Sequence, residues 1–131
     1  MAGELILIVE DNEKNRKLAR DVLQFHGYRT VEAETAEEGI RLARESVPAL
    51  ILMDIQLPGM NGMQALGVLR ADPLTRAVPV IAVTASAMTQ DRQKIMAAGF
   101  DGYQSKPINV KAFVAAVRQT VDGPPGSGGV A

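Results

Sequence analysis

Five residues at distant places in the chain add up to one kind of chemistry: Glu10 and Asp11, Asp54, Thr84 and Lys106. Carboxylates held a few ångströms apart repel one another unless they are protonated or given a cation. Magnesium suits such a set because it takes oxygen ligands, keeps some of its waters, and binds through one or two carboxylates plus phosphate oxygens. The pocket therefore takes a metal and an anion. Lys106 supplies a fixed positive charge and Thr84 a hydroxyl donor, the groups that neutralise and orient a phosphoryl oxygen beside a metal. Asp54 is then the candidate nucleophile, since a carboxylate that attacks phosphorus forms an acyl phosphate. Taken singly, Glu10, Asp11 and Thr84 also fit solvated turns and caps; the ordered combination carries the reading.

Each of these residues follows a strand-like run. LILIV precedes Glu10, ALILM precedes Asp54 and VPVIAV precedes Thr84, continuous aliphatic stretches of the kind covered on both faces in a parallel sheet. The shorter GYQS precedes Lys106, and Thr30 to Ala33 makes a second short strand. Between them the apolar residues fall at helical spacing: Leu18, Val22 and Phe25; Ile40 and Ala43 within Ala36 to Ser46; the segments Met63 to Ala71 and Met88 to Ala98; and a last stripe of Val110, Phe113, Val114, Val117 and Val121. Gly27, Pro48 and Gly99 punctuate helix ends. Strand-helix units joined by right-handed crossovers predict an α/β fold, a three-layer doubly wound sheet of five parallel strands in the order 2-1-3-4-5. The carboxyl ends of such strands share one edge, where ligands bind, so the five residues are expected to converge there.

A chain of 131 residues with 47% hydrophobic and 22% charged residues fits one domain around one core. The expected division is a domain over residues 1–121 and a Gly/Pro-rich flexible tail over residues 122–131, DGPPGSGGVA. A formal net charge of -1 gives no field of one sign to attract nucleic acid or an acidic membrane. The absence of cysteine excludes disulfides and thiolate zinc sites and fits a reducing compartment, the cytoplasm. LILIV, interrupted by Glu10 and Asp11, is far short of a spanning helix of about 20 residues. Several residues read as ordinary structure: His26 as a helix-end cap, Met60, Met63, Met88 and Met96 as core filling, and Arg16, Lys17, Arg20, Arg92 and Lys94 as solvated helix faces.

The segments ILIVEDN, LILMDIQLPGMNG, IAVTASA and YQSKPI resemble, in order and spacing, the signature stretches of the receiver domains of two-component response regulators. The resemblance covers Leu5 to Val121 and implies the flavodoxin-like (βα)5 fold. It makes Asp54 the phosphoacceptor, Asp11 a magnesium ligand with Glu10 close by, and the Gln56 backbone carbonyl a further ligand. Thr84 and Lys106 would bind the phosphoryl oxygens, Thr84 and Tyr103 would form the switch, and the Lys106-Pro107 bond would be cis. Asn61 departs from the aspartate often found in that turn. The stretch EDNEKN resembles receivers of hybrid kinases and of small single-domain cell-cycle regulators.

The implied function is a phosphorylation-activated signalling switch, not a turnover enzyme, that assists its own phosphorylation and dephosphorylation. Its implied partners are a sensor histidine kinase or histidine phosphotransfer protein, and a target that docks on the face of the fourth helix, fifth strand and fifth helix. Two other readings stand beside it. One is a receiver module excised from a hybrid kinase or larger regulator. The other is a magnesium-dependent phosphatase with an aspartyl nucleophile, against which Gln56 stands where such enzymes commonly carry a second acid. No GxGxxG or GxxxxGK[ST] follows any of the strand-like runs, which argues against a nucleotide site.

Overall fold

The computed structural model describes residues 3–85 and 89–121. The chain alternates β1 (Leu5–Val9), α1 (Glu13–Phe25), β2 (Arg29–Ala33), α2 (Ala36–Ser46), β3 (Leu50–Asp54), α3 (Gly62–Ala71), β4 (Val80–Thr84), α4 (Thr89–Ala98), β5 (Gly102–Ser105) and α5 (Val110–Val121). The strands are all parallel and lie in the order β2-β1-β3-β4-β5, as the alternation predicts. The expected helix start at Met88 and the tail at residues 122–131 lie outside the described residues.

The aliphatic runs of β1, β3 and β4 are buried because both faces of the sheet are covered. Leu7 and Val9 point into one core with Ala36 and Ala43 of α2, Leu66 and Leu69 of α3 and Ile95 of α4. Ile6 and Ile8 point into the other, with Ala19 and Leu23 of α1 and Phe113, Val114 and Val117 of α5. This is the period-two alternation of a strand feeding two cores at once.

Three sequence expectations shift by packing. The buried stripe of α1 is Ala19 and Leu23, whereas Leu18 and Phe25 are 39% and 84% exposed. Val22 packs partly buried against the same core, so the inward stripe runs through Ala19, Val22 and Leu23 and leaves Leu18 and Phe25 on the outer face. Met96 is exposed and Val110 lies at the solvent end of the α5 stripe, while Met60 and Met63 do pack against the core. Gly27 and Gly99 do follow helices, with φ of 92° and 109°, the left-handed region that glycine enters without a Cβ penalty. The Lys106-Pro107 bond is cis.

Candidate functional site

Strand register brings the five residues together. Val9 lies level with Met53, so Glu10 leaves β1 beside Asp54. Asp54 lies level with Val83 and Thr84 with Ser105, so Thr84 and Lys106 follow one step along the same edge. A hydrogen bond from the Lys106 backbone N–H to the Thr84 carbonyl, 2.8 Å, extends the β4–β5 ladder into the site.

The side chains then form a compact charge cluster. Lys106 Nζ lies 2.9 Å from Glu10 Oε1 and 3.1 Å from Asp54 Oδ2. The Asn12 backbone N–H donates to Glu10 Oε2 at 3.1 Å, and that of Gln56 to Asp54 Oδ1 at 2.9 Å. Asp54 and Thr84 are 2% and 1% exposed, whereas Asp11 stands at the exposed rim. One carboxylate oxygen from each of Glu10, Asp11 and Asp54 falls within 4.8 Å of the other two, a spread that one hard cation spans.

The cluster is electrostatically unbalanced. Burial pushes the Glu10 carboxyl above its usual 4.5, the Lys106 and Asn12 hydrogen bonds offset this only in part, and the Asp54 charge adds to it. Burial acts to lower the Lys106 ammonium, but its hydrogen bonds to Glu10 and Asp54 and their charges outweigh that, so its pKa lies above 10.5. Lys106 bridges two of the three acids, Glu10 and Asp54, and a second positive centre would relieve the remaining repulsion.

Two neighbours set the shape of the pocket. The turn after Asp54 folds back so that the Gly62 N–H donates to the Ile55 carbonyl at 3.0 Å. A Cβ on Gly62 would stand 2.5 Å from the Asp54 carbonyl oxygen and 2.9 Å from Ile55 Cα. Asn61 caps α3 in a reciprocal box with Gln64, which gives the residue that departs from the usual aspartate a role in fixing this turn. Beside the acids, a cleft of about 240 Å³ is lined by Ile55, Gln56, Met63, Thr84 and Lys94 among others.

Tyr103 is half-buried on β5, and the Arg92 guanidinium of α4 lies 5.3 Å from its ring centroid. Arg92 is therefore not a purely solvated residue. Nor is Arg16, whose side chain is 14% exposed and reaches Glu32 on β2. Neither contact leaves a mark in the sequence, because each depends on which helix face turns toward the sheet edge.

The fold and site define a class, a doubly wound α/β protein with an acid, hydroxyl and lysine cluster at the carboxyl edge. The sequence pattern of the response regulator receiver domain matches residues 6–118. The chain is 46% identical over 113 residues to the polar-differentiation response regulator DivK of Brucella ovis, covering 86% of this chain and 92% of the relative. It superposes on the receiver domain of a sensor histidine kinase from Pseudomonas aeruginosa with a TM-score of 0.85 at 33% identity, covering 92% and 99% of the two chains. That receiver was crystallised with a magnesium ion coordinated in its active-site cleft. The chemotaxis protein CheY4 of Vibrio cholerae has the same fold, with a TM-score of 0.84 at 23% identity over 91% of this chain and 99% of that one. The chain belongs to the receiver domain family of response regulators, phosphoryl-accepting switches of two-component signalling.

Proposed function

We propose that Asp54 accepts a phosphoryl group from the phosphohistidine of a histidine kinase or histidine phosphotransfer protein. The observation that carries this reading is the setting of the Asp54 carboxylate. It is buried at the end of β3, with one oxygen on Lys106 Nζ and the other on the Gln56 N–H. One of its oxygens attacks phosphorus; the new P–O bond forms as the P–N bond breaks, and the imidazole nitrogen keeps that electron pair. The carboxylates of Glu10, Asp11 and Asp54 fit magnesium by number and spread, and with the Gln56 backbone carbonyl they would hold it. When bound, the ion supplies charge neutralisation to the phosphoryl oxygens. Lys106 contributes a second positive charge, and Thr84 a hydroxyl at the same edge.

Phosphorylation adds up to two negative charges and new acceptor oxygens at Asp54, beside the cleft that Thr84 lines. Thr84 closes on them, and Tyr103, on the neighbouring strand level with Ala82, turns into the space released. The face made by α4, β5 and α5 then presents a different surface to a target. Moving such an equilibrium from 1:99 to 99:1 takes about 5.5 kcal/mol, which a few charge-assisted hydrogen bonds supply. The chain acts as a switch and not as a turnover enzyme, because Gln56 replaces the second acid that a phosphatase would use as general acid and base. Its proposed compartment is the cytoplasm, in keeping with the absence of cysteine. Among the described residues no helix is long and apolar enough to cross a membrane.

The test is intact mass after incubation with magnesium and a small-molecule phosphodonor. A gain of one phosphoryl group, lost in Asp54→Asn and without magnesium, is the expected result. An equal gain in Asp54→Asn would move the acceptor elsewhere.

A further inference from the structure

The peptide group that joins Glu10 to Asp11 is held from outside the acid cluster. Its carbonyl accepts a hydrogen bond of 3.0 Å from Arg16 Nη1. The same guanidinium donates through Nε to Glu32 Oε1 at 3.1 Å, and Arg20 Nη1 holds the other Glu32 oxygen at 3.4 Å. Glu32 lies on β2, level with Ile8 of β1. The Arg16 backbone N–H in turn bonds to the Asn12 carbonyl at 2.9 Å. One side chain of α1 thus ties the corner at the end of β1 to the neighbouring strand.

We infer that Arg16 is a positioning residue for magnesium, acting by fixing the peptide plane between the two acids. The Glu10 carboxylate is anchored independently by Lys106 and the Asn12 N–H, and its own N–H by the Ala33 carbonyl at 3.0 Å. Asp11 stands at the exposed rim, so the direction of its side chain depends on the plane that precedes it. Rotation of that plane swings the Asp11 carboxylate away from those of Glu10 and Asp54. Groups that orient metal ligands without touching the metal are commonly worth ten- to a hundredfold in affinity. A guanidinium fork serves two acceptors in fixed directions, which an ammonium does not.

Positioning and simple charge make opposite forecasts. As a charge, Arg16 repels the cation, so its removal would tighten magnesium binding. As a positioning group, its removal weakens binding. The inference rests on the reading of Glu10, Asp11 and Asp54 as the metal site, and the experiment separates the two.

Magnesium affinity is measured by calorimetry on the full chain for the wild type, Arg16→Gln, Arg16→Lys and, as a control for general destabilisation, Arg70→Ala at the opposite edge of the sheet. Metal-free thermal unfolding is recorded for each. The expected result is affinity about tenfold weaker in both Arg16 variants, and unchanged in Arg70→Ala. Arg16→Lys keeps the charge and an ion-pairing group, so it reads the role if Arg16→Gln fails to fold. Unchanged or tighter binding in the Arg16 variants, or equal weakening in Arg70→Ala, overturns the inference. A wild type that binds no magnesium, or binds it equally after Asp54→Asn and Asp11→Asn, overturns the metal reading and this inference with it.

Discussion

At the scale of single residues, the site is a balance of one lysine against three acids, and its pH dependence follows from that. The Glu10 carboxyl is raised above 4.5 by burial, so the folded metal-free protein holds this proton more tightly than the unfolded chain. The stabilising contribution is therefore complete below pH 4.5 and is lost as pH rises through the folded value. Denaturant midpoints of wild type and Glu10→Gln, measured without metal between pH 4 and 8 (roughly the span of shifted carboxyl values), should show it. The advantage of the wild type over the variant falls as pH rises. A constant difference would mean that Glu10 titrates alike in both states. Gly62 makes a steric forecast. With a Cβ placed 2.5 Å from the Asp54 carbonyl oxygen, backbone must move, and overpacking of this kind costs about 1–3 kcal/mol. Gly62→Ala should lower the urea midpoint and slow phosphorylation of Asp54, read by intact mass. The convergence of the five candidate residues was legible because type and strand-end placement announce it. Gly62 and Arg16 were not, because one is defined by a backbone approach and the other by a contact across two elements.

At the scale of elements, helix α3 is locked to the sheet through Arg70. Its Nη1 donates to the carbonyls of Val78 and Arg76 at 2.6 and 3.0 Å, and its Nη2 to Asp101 Oδ2 at 2.8 Å. Asp101 also accepts from the Val80 N–H, so one side chain gathers the entries to β4 and β5 at the amino edge of the sheet. Hydrogen bonds to charged groups are worth about 1.5–3 kcal/mol each when removal leaves partners unpaired, and solvent near Asp101 reduces this. Arg70→Ala should lose about 2 kcal/mol by urea unfolding while its phosphorylation rate stays at the wild-type value, because the site lies at the other end of the strands. Element type was readable from periodicity; facing was not. Leu18, Val22 and Phe25 keep helical spacing, yet of these only Val22 packs against the core, beside the buried Ala19 and Leu23. Apolar side chains alone did not reveal this, because the choice between overlapping stripes is made by how closely the helix can approach the sheet.

At the scale of the whole molecule, the proposed switch requires the fold to convert a local charge change into a surface change. Thr84 closes β4 and Tyr103 lies on the neighbouring strand, so a movement at one has a short path to the α4, β5 and α5 face. Thr84→Ala should still take up a phosphoryl group at Asp54 but lose most of the difference in target affinity between its two states. Binding titrations with phosphorylated and unphosphorylated protein check this; undiminished discrimination would remove Thr84 from the switch. Aliphatic runs, helical spacing and the ordered set of Glu10, Asp11, Asp54, Thr84 and Lys106 determined the fold class, the strand order and the meeting of those residues at one edge, because parallel β/α units allow few topologies and place their strand ends on one edge. Tertiary structure alone decided the reach of Arg16 to the Glu10 carbonyl, the position of Arg92 over Tyr103 and the backbone approach at Gly62. Each of these depends on distances between elements far apart in the chain, and such distances are fixed only when the cores on the two sides of the sheet pack together.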